Sequence, residues 1–128
     1  MGMEQNVTYA PEKAPAWPTV RALLAQRGYP VQCRMIDGEL SLPDEDPPDN
    51  WRELRLGTPQ GMITVRRQPG RLALVTWGNA DAGLVQAWNA LTWAFAEVCD
   101  GQIQTANGPQ APRDYFRTTD LPAAFRIT

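Results

Sequence analysis

The sequence predicts a single α+β domain, and three observations carry that reading. Asp37-Gly38 sits between two apolar-alternating runs, which is the signature of a two-residue hairpin turn. Three further alternating runs, 51–56, 62–67 and 71–77, are separated by Gly- and Pro-containing turns. A long segment with helical apolar spacing then runs toward Gly101. The expected order is a short N-terminal helix, an antiparallel meander of about five strands, a long amphipathic helix packed on one sheet face, a short strand and an extended C-terminal tail. A chain of 128 residues, 43% of them hydrophobic, holds enough apolar surface for one core but not for two.

Residues 1–16 combine three charges, two prolines and no periodicity, and read as a flexible leader. The domain proper is expected over 17–105. Its first helix places Pro18 in the first turn, presents Val20, Leu23 and Leu24 as an apolar stripe, and stops at Gly28. Trp17 stands just before it, placed to fold back as a lid. Val31–Ile36 and Glu39–Leu42 form the hairpin. Pairing Ile36 with Glu39 sets Met35 opposite Leu40 and Cys33 opposite Leu42. Val31, Cys33, Met35, Leu40 and Leu42 then share one face, with Ile36 as the exception.

The acidic run 43–50 has three prolines and breaks the pattern. In Trp51–Leu56, Leu54 and Leu56 face one side, and Trp51, Glu53 and Arg55 the other. A second hairpin turns at Gln68-Pro69-Gly70. Its register is open between Val65 opposite Leu74 and Val65 opposite Ala73. Either choice leaves apolar residues on both faces, so these strands are expected to be covered on both sides or to lie centrally in the sheet.

Asn79 or Asp81 can cap the long helix and Gly101 can end it. Leu84, Trp88, Leu91, Phe95 and Val98 fall in one stripe about 80° wide. Residues 102–105 form a short strand. The tail, 106–128, carries Tyr115, Phe116, Leu121, Phe125 and Ile127, too many large apolar groups for disorder. It is expected to pack on the domain or on a neighbour.

The small counts exclude chemistry. The chain has no histidine, one lysine (Lys13), one serine (Ser41) and two cysteines (Cys33 and Cys99). Triads and dyads built on histidine are closed, and two cysteines fall short of the ligands a structural zinc needs. No GxGxxG, Walker A or GxSxG pattern occurs. The net charge of −2 disfavours a nucleic-acid partner. No apolar run of about 18 residues is present to cross a membrane, and no cofactor is implied. A cytoplasmic protein with reduced thiols is expected. In size, charge and lack of a catalytic signature the chain resembles small acidic bacterial accessory proteins, such as effector chaperones and toxin immunity proteins. That resemblance is one of class and covers no motif.

Three groups of residues are candidates for function. Trp93 lies about 180° from the helix stripe, among polar Gln86, Asn89 and Glu97. It must be exposed, covered by the tail aromatics Tyr115, Phe116 or Phe125, or buried in an interface. Arg34, Arg55 and Arg66, with Trp51, Glu39, Glu53 and Thr64, gather on the outer sheet face. They suit either cross-strand ion pairing or an anion site. Asp44, Asp46 and Asp49 supply oxygen ligands for a hard cation. Their loop lacks the glycine and the terminal glutamate of an EF-hand. Cys99 ends a helix beside Asp100, where a thiolate is disfavoured.

The function expected from these features is a non-catalytic protein-interaction module bound to another protein or to itself as a homodimer. The alternative is a small-molecule or anion binder, with weak carboxylate-dependent catalysis, working on the Arg/Glu/Trp sheet face.

Overall fold

The computed structural model describes residues 2–42 and 45–126. An eight-stranded antiparallel sheet is built from β1 (Gly2–Thr8), β2 (Gln32–Ile36), β3 (Glu39–Leu40), β4 (Glu53–Thr58), β5 (Gly61–Gln68), β6 (Arg71–Trp77), β7 (Gln102–Thr105) and β8 (Gly108–Gln110). The strand order is β3-β2-β4-β5-β6-β1-β7-β8. The described residues also form three α-helices: α1 (Trp17–Gln26), α2 (Ala82–Cys99) and α3 (Pro112–Thr118). Among the described residues no helix is long and apolar enough to cross a membrane.

Residues 2–8 correct the expectation of a loose leader. β1 lies inside the sheet, paired with β6 along its whole length and with β7 at Asn6–Thr8. Val7 is fully buried. The reason is tertiary: β6 and β7 leave a strand-wide gap, and a weakly alternating segment gains its backbone partners on both sides by filling it. The sheet therefore has eight strands, not about five.

The Asp37-Gly38 turn forms as the sequence implies. Both residues have positive φ, 50° and 87°, and Ile36 pairs with Glu39 and Met35 with Leu40. The expected shared face fails, however. A bulge at Arg34 shifts β2 against β4, so Cys33 aligns with the buried Leu56 but Met35 aligns with Arg55 on the other side. Leu40 follows Met35 outward, and Leu42 lies beyond β3 and is exposed too. The same extra residue turns Ile36 inward, opposite Leu54. This accounts for the one residue that broke the pattern. The second hairpin adopts the two-residue loop, with Val65 opposite Leu74.

Asp81 is the cap of α2, its Oδ1 accepting from the Leu84 amide at 2.9 Å. At the other end Asp100, not Gly101, takes the left-handed conformation (φ 53°). Gly101 is needed for close approach instead: a Cβ there would lie 2.5 Å from the Thr8 carbonyl oxygen of β1. The helix packs on β1, β5, β6 and β7 and is flanked by α1 and α3. It is buried on most of its circumference, through Ala87, Ala90, Ala94 and Ala96 as well as Leu91 and Phe95. The stripe of large residues understated this face, because alanines let the sheet and helices approach closely. Trp88 and Val98, counted in that stripe, are only half-buried.

Trp17 is the first residue of α1 and is buried, stacked on Phe95 at 6.2 Å. The tail is structured rather than irregular. It supplies β8, α3 and a 3-10 turn, Ala123–Arg126.

Candidate functional site

The tail covers Trp93 within the same chain. Trp93 is 4% exposed, with ring centroids 4.9 Å from Phe116 and 5.8 Å from Phe125. The Arg27 guanidinium lies over both Trp93 and Phe116. Phe125 is buried and packs edge-on against Tyr29. Asn89 and Tyr115 belong to a buried hydrogen-bond network. Gln5 Nε2 donates to Asn89 Oδ1 at 2.8 Å, Asn89 Nδ2 donates to the Asp120 carbonyl at 2.9 Å, and the Tyr115 hydroxyl donates to Gln5 Oε1. These bonds tie β1, α2 and the tail together. Of the expected interface group, Glu97 alone is exposed and Phe116 half-buried. Trp93, Asn89, Tyr115 and Phe125 are core, because the polar helix face that surrounds Trp93 is the face on which the tail lies.

Both cysteines are free and buried. Burial pushes the Cys99 thiol up to about 11, against the opposing effect of backbone hydrogen bonds. Burial likewise pushes Tyr115 up to about 12. Folding holds both groups protonated, so the unfolded chain releases these protons at lower pH. Stability from them is complete below about pH 9 and falls as the pH rises through about 11. Urea midpoints are expected to hold up to about pH 9 and then to drop toward about pH 11.5, and a flat profile over that range would contradict this.

The acidic loop divides its side chains among separate tasks. Asp46 pairs with Arg21 at 3.4 Å, and Glu45 Oε1 accepts from the Leu42 amide. The Asp49 carbonyl accepts from Arg67 at 2.6 Å. Asp44 lies outside the described residues. Among the described residues no three Asp, Glu, Cys or His side chains converge as metal ligands.

Among the described residues no helix covers the second face of the sheet. Inward residues of β4, β5 and β6 (Leu54, Leu56, Ile63, Val65, Leu72, Leu74) are fully buried. The alternate residues point away from the helices and are exposed or half-buried. Of the two alternatives for the second hairpin, cover on both sides fails and the central position holds: β5 and β6 lie in the middle of the sheet, with apolar residues on their open side. Trp77 is 67% exposed and Met62 37% exposed, and both edge a hollow of about 430 Å³. Gly2, Arg55, Thr64, Arg66, Val75 and Thr76 complete its lining.

Arg34, Arg55 and Arg66 do come to this face. Arg66 Nε donates to Glu53 Oε1 at 2.9 Å. Arg55 Nη1 reaches only the Met35 sulfur, at 3.8 Å. Arg34 lies across Gly57, where a Cβ would come within 3.0 Å of its Nε. Among the described residues, neither Arg34 nor Arg55 has a carboxylate within ion-pair distance.

Trp51 is not on this face. It precedes β4, is buried against Phe95, and carries Arg67 at 4.4 Å over its ring. Strand parity does not apply before the strand begins, and Asp37 Oδ1 accepts from both the Arg52 and Glu53 amides where the chain enters β4. Glu39 pairs with the inward Ile36 and so leaves the arginine face too. The aromatic that belongs to the site is Trp77. Its signal was its odd spacing from Leu72 and Leu74 along β6.

No protein-family model, curated protein or solved structure matches this chain.

Proposed function

We propose that the chain is a non-catalytic protein-interaction module whose docking surface is the uncovered face of the sheet. One observation carries the reading: Trp77 stands largely exposed beside Met62 and Val75 on a face that no helix covers. Exposing a large aromatic next to other apolar groups is costly in water, and contiguous patches of this kind mark interaction sites. Trp and Arg are also the residue types that dominate binding energy at interfaces. The sheet supplies a rigid base, with β4, β5 and β6 paired in continuous register beneath the patch.

The composition supports a binding role over catalysis. With no histidine, and with both thiols buried and held protonated, the groups on the face that could move a proton are, among the described residues, arginines, carboxylates and hydroxyls. A second reading, a small-molecule or anion site, is favoured by the hollow that joins Arg55 and Arg66 to Trp77.

One experiment separates the two. A photo-crosslinking benzoylphenylalanine in place of Trp77 is expected to yield a discrete protein adduct in the source cell. The same group in place of Glu97, exposed on α2, is expected to yield none. Equal labelling from both positions, or no protein adduct from the Trp77 position, counts against the docking face. The second outcome favours the small-molecule reading.

A further inference from the structure

We infer that the occupant of this face is an extended acidic segment of another protein, bearing a bulky apolar anchor, and not a second copy of this chain. This rests on the docking reading above and concerns the chemistry of what docks.

The charge on the face is opposite in sign to that of the whole chain. Arg34, Arg55, Arg66 and Arg71 project outward, against Glu4 and Glu53, while the chain as a whole carries −2. Both glutamates are already engaged. Glu53 holds Arg66 at 2.9 Å, and Glu4 lies 3.7 Å from Arg71, whose guanidinium also donates to Asn6 Oδ1. Arg34 and Arg55 are left without carboxylates among the described residues. A guanidinium offers a planar fork that matches a carboxylate, so these two are the vacant halves of ion pairs.

Their placement sets the form of the partner. Arg34 lies over Gly57, and Gly57 stands two residues from Arg55 on β4. Two residues of strand span about 7 Å. Carboxylates at alternate positions of an extended segment repeat at that same spacing and on one side. Beside them Gly2, Met62, Val75 and Trp77 line one hollow together with Arg55 and Arg66, with room for one large apolar side chain.

A second copy fits poorly. A two-fold contact would set this net-positive face on itself, and the carboxylates it could offer across to Arg34 and Arg55, Glu4 and Glu53, are already engaged. A copy offering its acidic loop instead would bring few free carboxylates. Asp46 of that loop is already held by Arg21.

The test uses the full chain and three labelled ten-residue peptides. The first alternates Glu with Leu and carries one Trp. The second has Lys in place of each Glu. The third alternates Glu with Ser and has no apolar residue. By fluorescence anisotropy the first is expected to bind at least about tenfold more tightly than either of the others, and to weaken with added salt. Arg34→Glu and Arg55→Glu should each weaken it about tenfold or more, the scale of a lost charge-assisted hydrogen bond. Trp77→Ala should weaken it as well. All three positions are exposed, and unchanged circular dichroism would show that the variants fold.

Equal binding of the Lys peptide overturns the inference. So does loss of binding with Trp77→Ala but not with either arginine reversal. In both cases the docking face itself stands. A doubled mass in light scattering that Trp77→Ala abolishes also overturns it, in favour of a second copy. No peptide binding overturns it too. Together with no crosslink from the Trp77 position, that result removes the docking reading as well.

Discussion

Deleting residues 1–8 is expected to unfold the protein. The deletion removes a strand from the interior of the sheet, leaving facing edges of β6 and β7 without backbone partners. Each lost backbone hydrogen bond costs about 0.5–1.5 kcal/mol, and burial of Val7 contributed roughly 1.5–3 kcal/mol. Loss of Gln5 strips a partner from both Asn89 and Tyr115 inside the protein, at about 1–3 kcal/mol each. Together these losses are of the order of the whole stability of a small domain, about 5–15 kcal/mol. Circular dichroism and urea titration of the truncated chain check the result. A truncated protein with a native spectrum and an unchanged urea midpoint would mean that the segment is the loose leader its composition suggests.

Replacing Trp93 by alanine is expected to cost about 3–5 kcal/mol and to leave the molecular mass unchanged. Its ring fills the space between α2 and the tail, in contact with Phe116 and Phe125, under the Arg27 guanidinium. Removing it leaves a cavity that three separate chain segments would have to collapse together to fill. The melting temperature should fall by roughly 10–20 °C. Urea denaturation and light scattering on the same sample distinguish the two roles this residue could have. A stability loss under about 0.5 kcal/mol with a change of mass would return Trp93 to an interface.

The two predictions expose different faults in reading a chain by pattern. Trp93 stood out because it broke the polar face of a helix, and a broken pattern locates a contact without saying which chain supplies it. Here the partners are Phe116 and Phe125, more than twenty residues onward in the same chain. Residues 2–8 did not stand out at all. Met3, Gln5 and Val7 point inward, and the glutamine at the middle position hides the alternation. Gln5 is accommodated because Asn89 and Tyr115 meet it, a pairing set by residues 84 and 110 positions away.

The candidate face was half legible. Alternation along β4 and β5 correctly sent Arg55 and Arg66 outward, and the arginines of the alternative reading do share a surface. Trp51 was drawn into that surface by counting parity back past the start of β4. Trp77 was missed because apolar residues on both faces of a strand imply burial on both. Only the placement of all three helices shows that one face stays open. Arg34, next to inward Cys33, points outward as the alternation of β2 implies; the bulge beside it, which no spacing rule announces, is what sends Met35 outward too.

By itself, the sequence determined what depends on neighbours within a few positions. The Asp37-Gly38 turn and its first pairs follow from backbone preferences at two residues. The start and length of α2 follow from a capping aspartate and an apolar rhythm, and α1 from a proline in its first turn. The absence of histidine closed the commonest catalytic routes before any fold was known. Tertiary structure alone decided which strand fills the gap between β6 and β7, where β2 bulges, and which aromatics are covered. Those outcomes turn on free energy shared between segments far apart in the chain. Backbone groups left unpaired at a sheet edge, and apolar surface left open on a helix, take whichever partner the fold brings to them.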